Sequence, residues 1–228
     1  MKTLKTALIG IAASILMISG AAAQSLPFSF GGGSSFARGP DRLTFGFATA
    51  LCDDCRTVPG GGGPEDIIIG NSLGLLLAAT WIAGGASASS SAPALAYSLG
   101  VEHDTNSVNA FRQAGGAVFP TSGDSTFTGV FVGVAYETPL GGGFSSSSIA
   151  VPTFGLGLNL GYGWAAVDGF GGAFQTDGSG LYGRADAYMA IPLAGGMFLS
   201  PGISYRVFDF NGIEDNSLMA FLRFTIPL

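Results

Sequence analysis

Lysine is missing from the chain beyond residue 5, and only 11% of all residues carry charge. After residue 23, seven arginines face fifteen acids, a balance of 7 − 15 = −8. A nucleic-acid partner is not expected, because polyphosphate is bound by cations that displace its counterions. Histidine occurs once, at His103, and cysteine twice, at Cys52 and Cys55. That is too few ligands for a four-coordinate zinc site. No apolar run of about 18 residues follows the first 23, so no transmembrane helix is expected. The mean hydropathy is nevertheless +0.46. A chain that is apolar overall but lacks a spanning helix can enter a bilayer only as a closed β-barrel. A secreted β-sandwich is the rival, and periodicity has to decide.

What is present begins with a positive start, Lys2 and Lys5, then an apolar stretch over 7–18 and the small residues Ser19 to Ala23. This pattern reads as a secretory signal peptide over 1–23, cut before Gln24, since its apolar run is too short to span a bilayer. No cysteine stands directly after the cut, so a lipid-anchored protein is not expected. Residues 24–40 are rich in Gly and Ser and read as a flexible linker. Residues 41–228 remain for one domain.

Side chains alternate across a strand, so a lipid-facing strand should be apolar on one parity and small or polar on the other. In 153–164, Phe154, Leu156, Leu158, Leu160, Tyr162 and Trp164 share one face, and Gly155, Gly157, Asn159, Gly161 and Gly163 share the other. A soluble sandwich would turn its large residues inward and polar ones outward. Glycine opposite the large residues suits a narrow lumen. The same alternation runs through 42–51, 93–102, 129–137, 181–191, 197–208 and 218–228. Segment 67–82 contains Leu75, Leu76 and Leu77 in a row, so a buried helix competes there. Its alternation of Leu73, Leu75, Leu77 and Trp81 against Ser72, Gly74, Ala78 and Thr80 favours strand. The expected fold is all-β, an eight-stranded antiparallel up-and-down transmembrane β-barrel.

Two further patterns agree with that count. Thr138-Pro139-Leu140, Ile191-Pro192-Leu193 and Ile226-Pro227-Leu228 end three strands alike, proline having no N–H to donate to a ladder. Every charge inside the expected strands falls on the non-lipid parity: Arg42, Glu102, Glu137, Arg184, Asp186, Arg206 and Arg223. They are expected to form a luminal network of four cations and three anions, because an arginine facing lipid at mid-depth costs ~2–4 kcal/mol. Connections 52–66, 103–125, 168–177 and 209–215 hold eleven acids, whereas 83–92, 139–148 and 192–196 hold no charge. Long loops on one side and short turns on the other orient such a barrel with both termini in the periplasm. Tyr162 and Trp164 then mark the outer lipid interface, and Trp81 and Phe154 the inner one.

This pattern over about 41–228 resembles the small bacterial outer-membrane barrels of the OmpA/OmpX/Opa type. The resemblance implies an outer-membrane location, a periplasmic linker, contact with outer-membrane lipid and lipopolysaccharide, and surface loops used for adhesion or structural support. Such barrels end in Phe or Trp, whereas this chain ends in Leu228 after Pro227, a departure that bears on assembly.

Chemistry-bearing motifs are few. Cys52-Asp53-Asp54-Cys55 lacks the helix and βαβ context of a redox motif and reads as a short disulfide in an exported protein. His103 has Glu102, Asp104 and Ser107 nearby, and outer-membrane acyltransferases and deacylases resemble this in placing His, Ser and an acid near the outer leaflet. Residues 103–107 do not reproduce a His-x-Ser pattern. The acidic loops show no EF-hand spacing for Ca²⁺. No catalytic, cofactor or metal site is therefore expected, and a lipid-modifying enzyme or a small-solute pore is kept as the alternative. The main candidate for an extracellular ligand is loop 103–125, the longest, with Phe111, Val118 and Phe119.

Overall fold

The computed structural model describes residues 39–52, 55–59, 65–83, 93–113, 115–140 and 151–228. The signal peptide, residues 24–38 of the linker, Asp53, Asp54 and most of the turns expected at 83–92 and 139–148 lie outside them. Nine strands are described: β1 (Arg42–Ala50), β2 (Arg56–Pro59), β3 (Glu65–Ile82), β4 (Ala94–Gln113), β5 (Val118–Pro139), β6 (Thr153–Gly169), β7 (Phe174–Pro192), β8 (Phe198–Phe210) and β9 (Ile213–Pro227).

β1 and β2 both pair with β3 on one side and with β9 on the other, so they are two halves of one stave. The ring therefore has eight staves, each antiparallel to its neighbours in chain order, and β1–β9 pairing closes it. Segment 67–82 is strand. Its three consecutive leucines alternate, with Leu76 packed against the interior cluster and flanked by residues on the outward parity.

Exposure follows the alternation. Phe45, Phe47, Val130, Val132, Val134, Leu156, Leu158, Leu160, Ile203, Tyr205, Leu218 and Leu222 stand exposed on the outer wall. An outer wall this apolar belongs to a transmembrane barrel. The inner wall alternates glycine with large rings. A Cβ on Gly163 would sit 2.6 Å from a ring carbon of Phe127, and one on Gly155 would sit 2.2 Å from the Tyr188 ring. Glycine on one stave thus makes a slot for an aromatic ring from another, which crowding of backbones alone does not explain.

The strands run further than expected, and all four expected loops are corrected here, 52–66 containing β2 and the first residues of β3. Segment 103–125 is mostly the paired ends of β4 and β5. Segment 168–177 narrows to a 3-10 turn at Phe170–Gly172, and 209–215 to a turn at Asn211 and Gly212, both with positive φ. Polar residues facing water on the outer parity do not disturb a ladder whose inner parity remains apolar. Phe111, Phe127, Phe208, Phe210 and Ile213 supply that inner face and are buried. A bilayer needs only about 9–11 residues per strand, while β4 has 20 and β5 has 22.

Candidate functional site: the filled lumen and the protruding strand ends

The lumen is built in layers. Nearest the chain termini, Arg42 pairs with Glu137 at 2.9 Å, and the Tyr188 hydroxyl donates to the same carboxylate at 2.8 Å. In the middle, Arg184 bridges Glu102 and Asp186. Asp186 also accepts from Arg223 and Asn159, each at 2.9 Å. The Arg223 guanidinium lies 3.8 Å from the centre of the Phe221 ring and that of Arg184 lies 4.7 Å from Phe131, both close enough for cation–π attraction.

Above these, Arg56 and Arg206 share two carboxylates. Arg56 reaches Asp215 at 2.7 Å and Asp104 at 3.2 Å, and Arg206 reaches Asp215 at 3.0 Å. Arg206 also pairs with Asp104. The backbone N–H of Ser217 donates to Asp215 at 2.9 Å, and Arg56 donates to the Ser125 hydroxyl. The outermost luminal layer is apolar: Phe127, Phe208 and Phe210 stack in series, joined by Val58, Ile68, Val108, Val167 and Ile213.

Arg56, Asp104 and Asp215 were expected among loop charges, and here the structure corrects the reading. Asp104 is on the luminal parity of Glu102, and Asp215 on that of Phe221 and Arg223, so the inward alternation continues past the expected strand ends. The signal was in the sequence: Asp104 lies two positions past the expected end of its strand, and Asp215 three positions before the expected start of the last one. The network then contains five arginines (42, 56, 184, 206, 223) and five carboxylates (102, 104, 137, 186, 215). A buried charge is tolerable when it is paired and further hydrogen-bonded. A cavity of about 80 Å³ remains beside Arg42, Glu137, Asn159, Asp186 and Arg223, room for a few waters.

Arg56 enters this network because the first stave is interrupted. From Ala50 to Arg56 five residues intervene, whereas their partners Met219 and Asp215 on β9 are separated by three. Two extra residues preserve the parity of the stave, so Arg56 faces inward as Ala50 does. A disulfide between Cys52 and Cys55, with Cα atoms 5.7 Å apart, pinches this excursion shut.

His103 lies on the opposite face. Its Nδ1 is 2.8 Å from the Thr128 hydroxyl and its Nε2 3.3 Å from that of Thr105. Glu102 and Asp104 are luminal, because neighbours on a strand point to opposite faces. Ser107 is four residues further along, on the order of 13 Å away. Sequence proximity therefore does not become a catalytic constellation. Among the described residues no group of three or more His, Cys, Asp or Glu side chains could hold a metal ion.

The aromatics occupy two levels. Trp164 and Tyr162 meet edge to face at 5.3 Å, and the Tyr162 hydroxyl lies 3.0 Å from that of Ser179. Phe154 stands at the other end of β6, and Trp81 lies opposite Tyr97 near the corresponding end of β3. His103, Thr128, Trp164 and Ser179 form one circumferential row across β4 to β7. Beyond it the outer faces of β5 to β7 carry Asp124, Thr126, Asp168, Asp177 and Gln175 instead of large apolar residues.

The architecture is that of a small closed antiparallel barrel of eight staves. No protein-family model matches the chain, and no curated protein matches its sequence. Among solved structures it is similar to Ail, the attachment invasion locus protein of Yersinia pestis, in complex with the heparin analogue sucrose octasulfate. That match has 13% identity and a TM-score of 0.42, covering 81% of this chain and 97% of Ail. Neisserial surface protein A is similar at 10% identity and a TM-score of 0.46, with 82% and 97% covered.

Proposed function

We propose that the chain is a non-enzymatic outer-membrane barrel whose role is surface interaction, with its acidic strand ends outside and both termini in the periplasm. The observation that carries this reading is the combination of a filled lumen with strands of 20 and 22 residues that overshoot any bilayer. Paired charges and stacked rings fill the lumen in layers, so the surfaces offered to a partner are the outer wall and the strand ends. The row from His103 to Ser179 is read as the outer lipid boundary, with Tyr162 and Trp164 at headgroup level and Trp81 and Phe154 at the inner interface. Outer-membrane lipid covers the apolar wall. Lipopolysaccharide phosphates meet the acidic outer faces through shared divalent cations.

The charge of those faces also selects against one class of partner. Asp124, Asp168, Asp177, Asp209 and Glu214 are all at the protruding ends. A sulfated polysaccharide such as the heparin analogue held by Ail would be repelled here. A lipid-modifying activity has little support, since both ring nitrogens of His103 face threonine hydroxyls.

The first experiment fractionates the envelope and compares gel mobility with and without boiling, after trypsin treatment of intact cells. The expected result is an outer-membrane band that shifts on heating and is cut at Arg112 from outside. Recovery as a soluble protein without a heat shift would overturn the location and the inside-out assignment together.

A further inference from the structure

The outer end of β7 is a sheet edge. β7 keeps one register with β8 from Pro192–Phe198 up to Tyr182–Phe208, and beyond that pair no described residue is matched to it on this side. On its other side β7 stays paired with β6 as far as Phe174. At the opposite end the Leu193 N–H donates to the Met197 carbonyl at 2.7 Å, across to β8. Backbone groups of an antiparallel strand alternate sides residue by residue. Odd-numbered residues of β7 therefore face β8, and Gln175, Asp177 and Ser179 aim their N–H and C=O into the gap.

The gap exists because β8 is steered away from it. A Cβ on Gly178 would fall 2.4 Å from the Phe210 carbonyl oxygen, so the end of β8 crosses the inner face of β7 instead of continuing beside it. Phe210 and Ile213 are buried in the apolar lumen layer. A Cβ on Gly212 would lie 3.0 Å from a ring carbon of Pro59, so the β8–β9 turn leans across the lumen toward β2. Sheet edges are commonly blunted by lysine, proline or a bulge. Residues 174–181 contain neither residue, and their register with β6 is unbroken. Gln175, Asp177 and Ser179 are all exposed.

We infer that this edge takes up an extended polypeptide segment of another protein, which adds antiparallel to β7 where β8 leaves off. The inference rests on the reading of these strand ends as extracellular. The backbone groups themselves select the occupant. Those of Gln175, Asp177 and Ser179 recur about every 6.8 Å, the spacing of alternate residues in another strand. Strand addition draws its affinity from such main-chain groups. A residue opposite Asp177 shares its outer face, where opposite charges attract, so a basic residue is favoured there. A second copy in the same membrane does not fit. Both barrels would point the same way, and their tilted β7 strands would cross instead of aligning. Ser179 lies in the boundary row beside Trp164, so the edge rises from the membrane surface into water.

The test uses the full folded chain in detergent micelles and fluorescein-labelled peptides read by polarisation. The probe is STVKVTS, whose central lysine stands opposite Asp177 in the expected register. One relative carries N-methyl groups on its second, fourth and sixth residues, which turn toward the edge. Another carries them on its third and fifth, which turn away. STVKVTS should bind, the first relative at least tenfold more weakly, and the second like the parent. Asp177→Pro removes an edge N–H without breaking a bond to β6, and should weaken binding well beyond Asp177→Asn, which removes only the charge. Equal binding of the two methylated peptides, or equal effects of the two variants, would overturn the inference. A crosslinked dimer of the chain that excludes the peptide would overturn it too, by giving the edge to a second copy. If no peptide binds while the heat-shifted band persists, strand addition alone fails; if the band is missing too, the barrel reading itself has failed.

Discussion

At the scale of single residues, the inner wall is a set of glycine–ring complements. The three atoms nearest a Cβ added to Gly163 are all in side chains: Phe127 carbons at 2.6 and 2.9 Å and a Phe210 carbon at 3.3 Å. Overpacking of this kind costs ~1–3 kcal/mol when the neighbours cannot move. Gly163→Ala should therefore lower stability by about that amount in urea unfolding from micelles. Phe127→Leu removes the clashing ring end, so the double variant should lose clearly less than the sum of the two single losses, as expected for residues in contact. Strict additivity would show that the ring does not occupy the glycine slot. The alternation of glycine with large residues was legible in the sequence. Which ring fills which slot was not, because the partner lies on a neighbouring stave whose register no single strand reveals.

At the scale of elements, the first stave shows how a strand can be broken without losing its sense of inside and outside. Its two extra residues keep Arg56 on the luminal parity, and the Cys52–Cys55 disulfide closes the excursion. For a loop this short, chain entropy accounts for about 2 kcal/mol. A second contribution should come through Arg56, since a relaxed excursion frees it from Asp104 and Asp215. Replacing both cysteines by serine should lower stability by about 2 kcal/mol or somewhat more. Combined with Arg56→Met, the loss should fall short of additive by on the order of 1 kcal/mol. Additive losses would mean that the disulfide acts on the unfolded chain alone.

The ends of elements were also where sequence reasoning stopped too early. Asp104 and Asp215 looked like loop acids because an apolar outer parity was taken to mark the extent of each strand. Above the lipid boundary the outer wall faces water, so a polar outer parity continues a strand as well as an apolar one does. Only the inner parity, with Phe111, Phe127, Phe208 and Phe210, shows where pairing persists. The two cysteines were visible as a pair from their spacing. Their effect on Arg56 depends on counting residues against β9, which requires the register.

At the scale of the whole molecule, two barriers of different chemistry stand in series along the axis. The outer layer is a stack of Phe127, Phe208 and Phe210, with the last two rings 4.3 Å apart. Beneath it, Arg56 and Arg206 are locked between Asp104 and Asp215. An eight-stranded barrel is just wide enough to be filled by its own side chains. A hydrated ion passing through must first displace apolar rings and then separate paired charges. Each step is costly, the first by desolvation and the second by exposing an unpaired buried charge. The intact protein should therefore show no steady conductance in planar bilayers at high salt. Phe208→Ser with Phe210→Ser wets only the outer layer and should leave the current at baseline. Adding Asp104→Ala and Asp215→Ala opens the Arg56–Arg206 layer, but the Arg184–Glu102–Asp186–Arg223 layer beneath it stays paired, so the fourfold variant should also remain at baseline. Steady current through the unaltered barrel, or through the serine pair alone, would show that the charged layer is no barrier and would return the pore reading to first place.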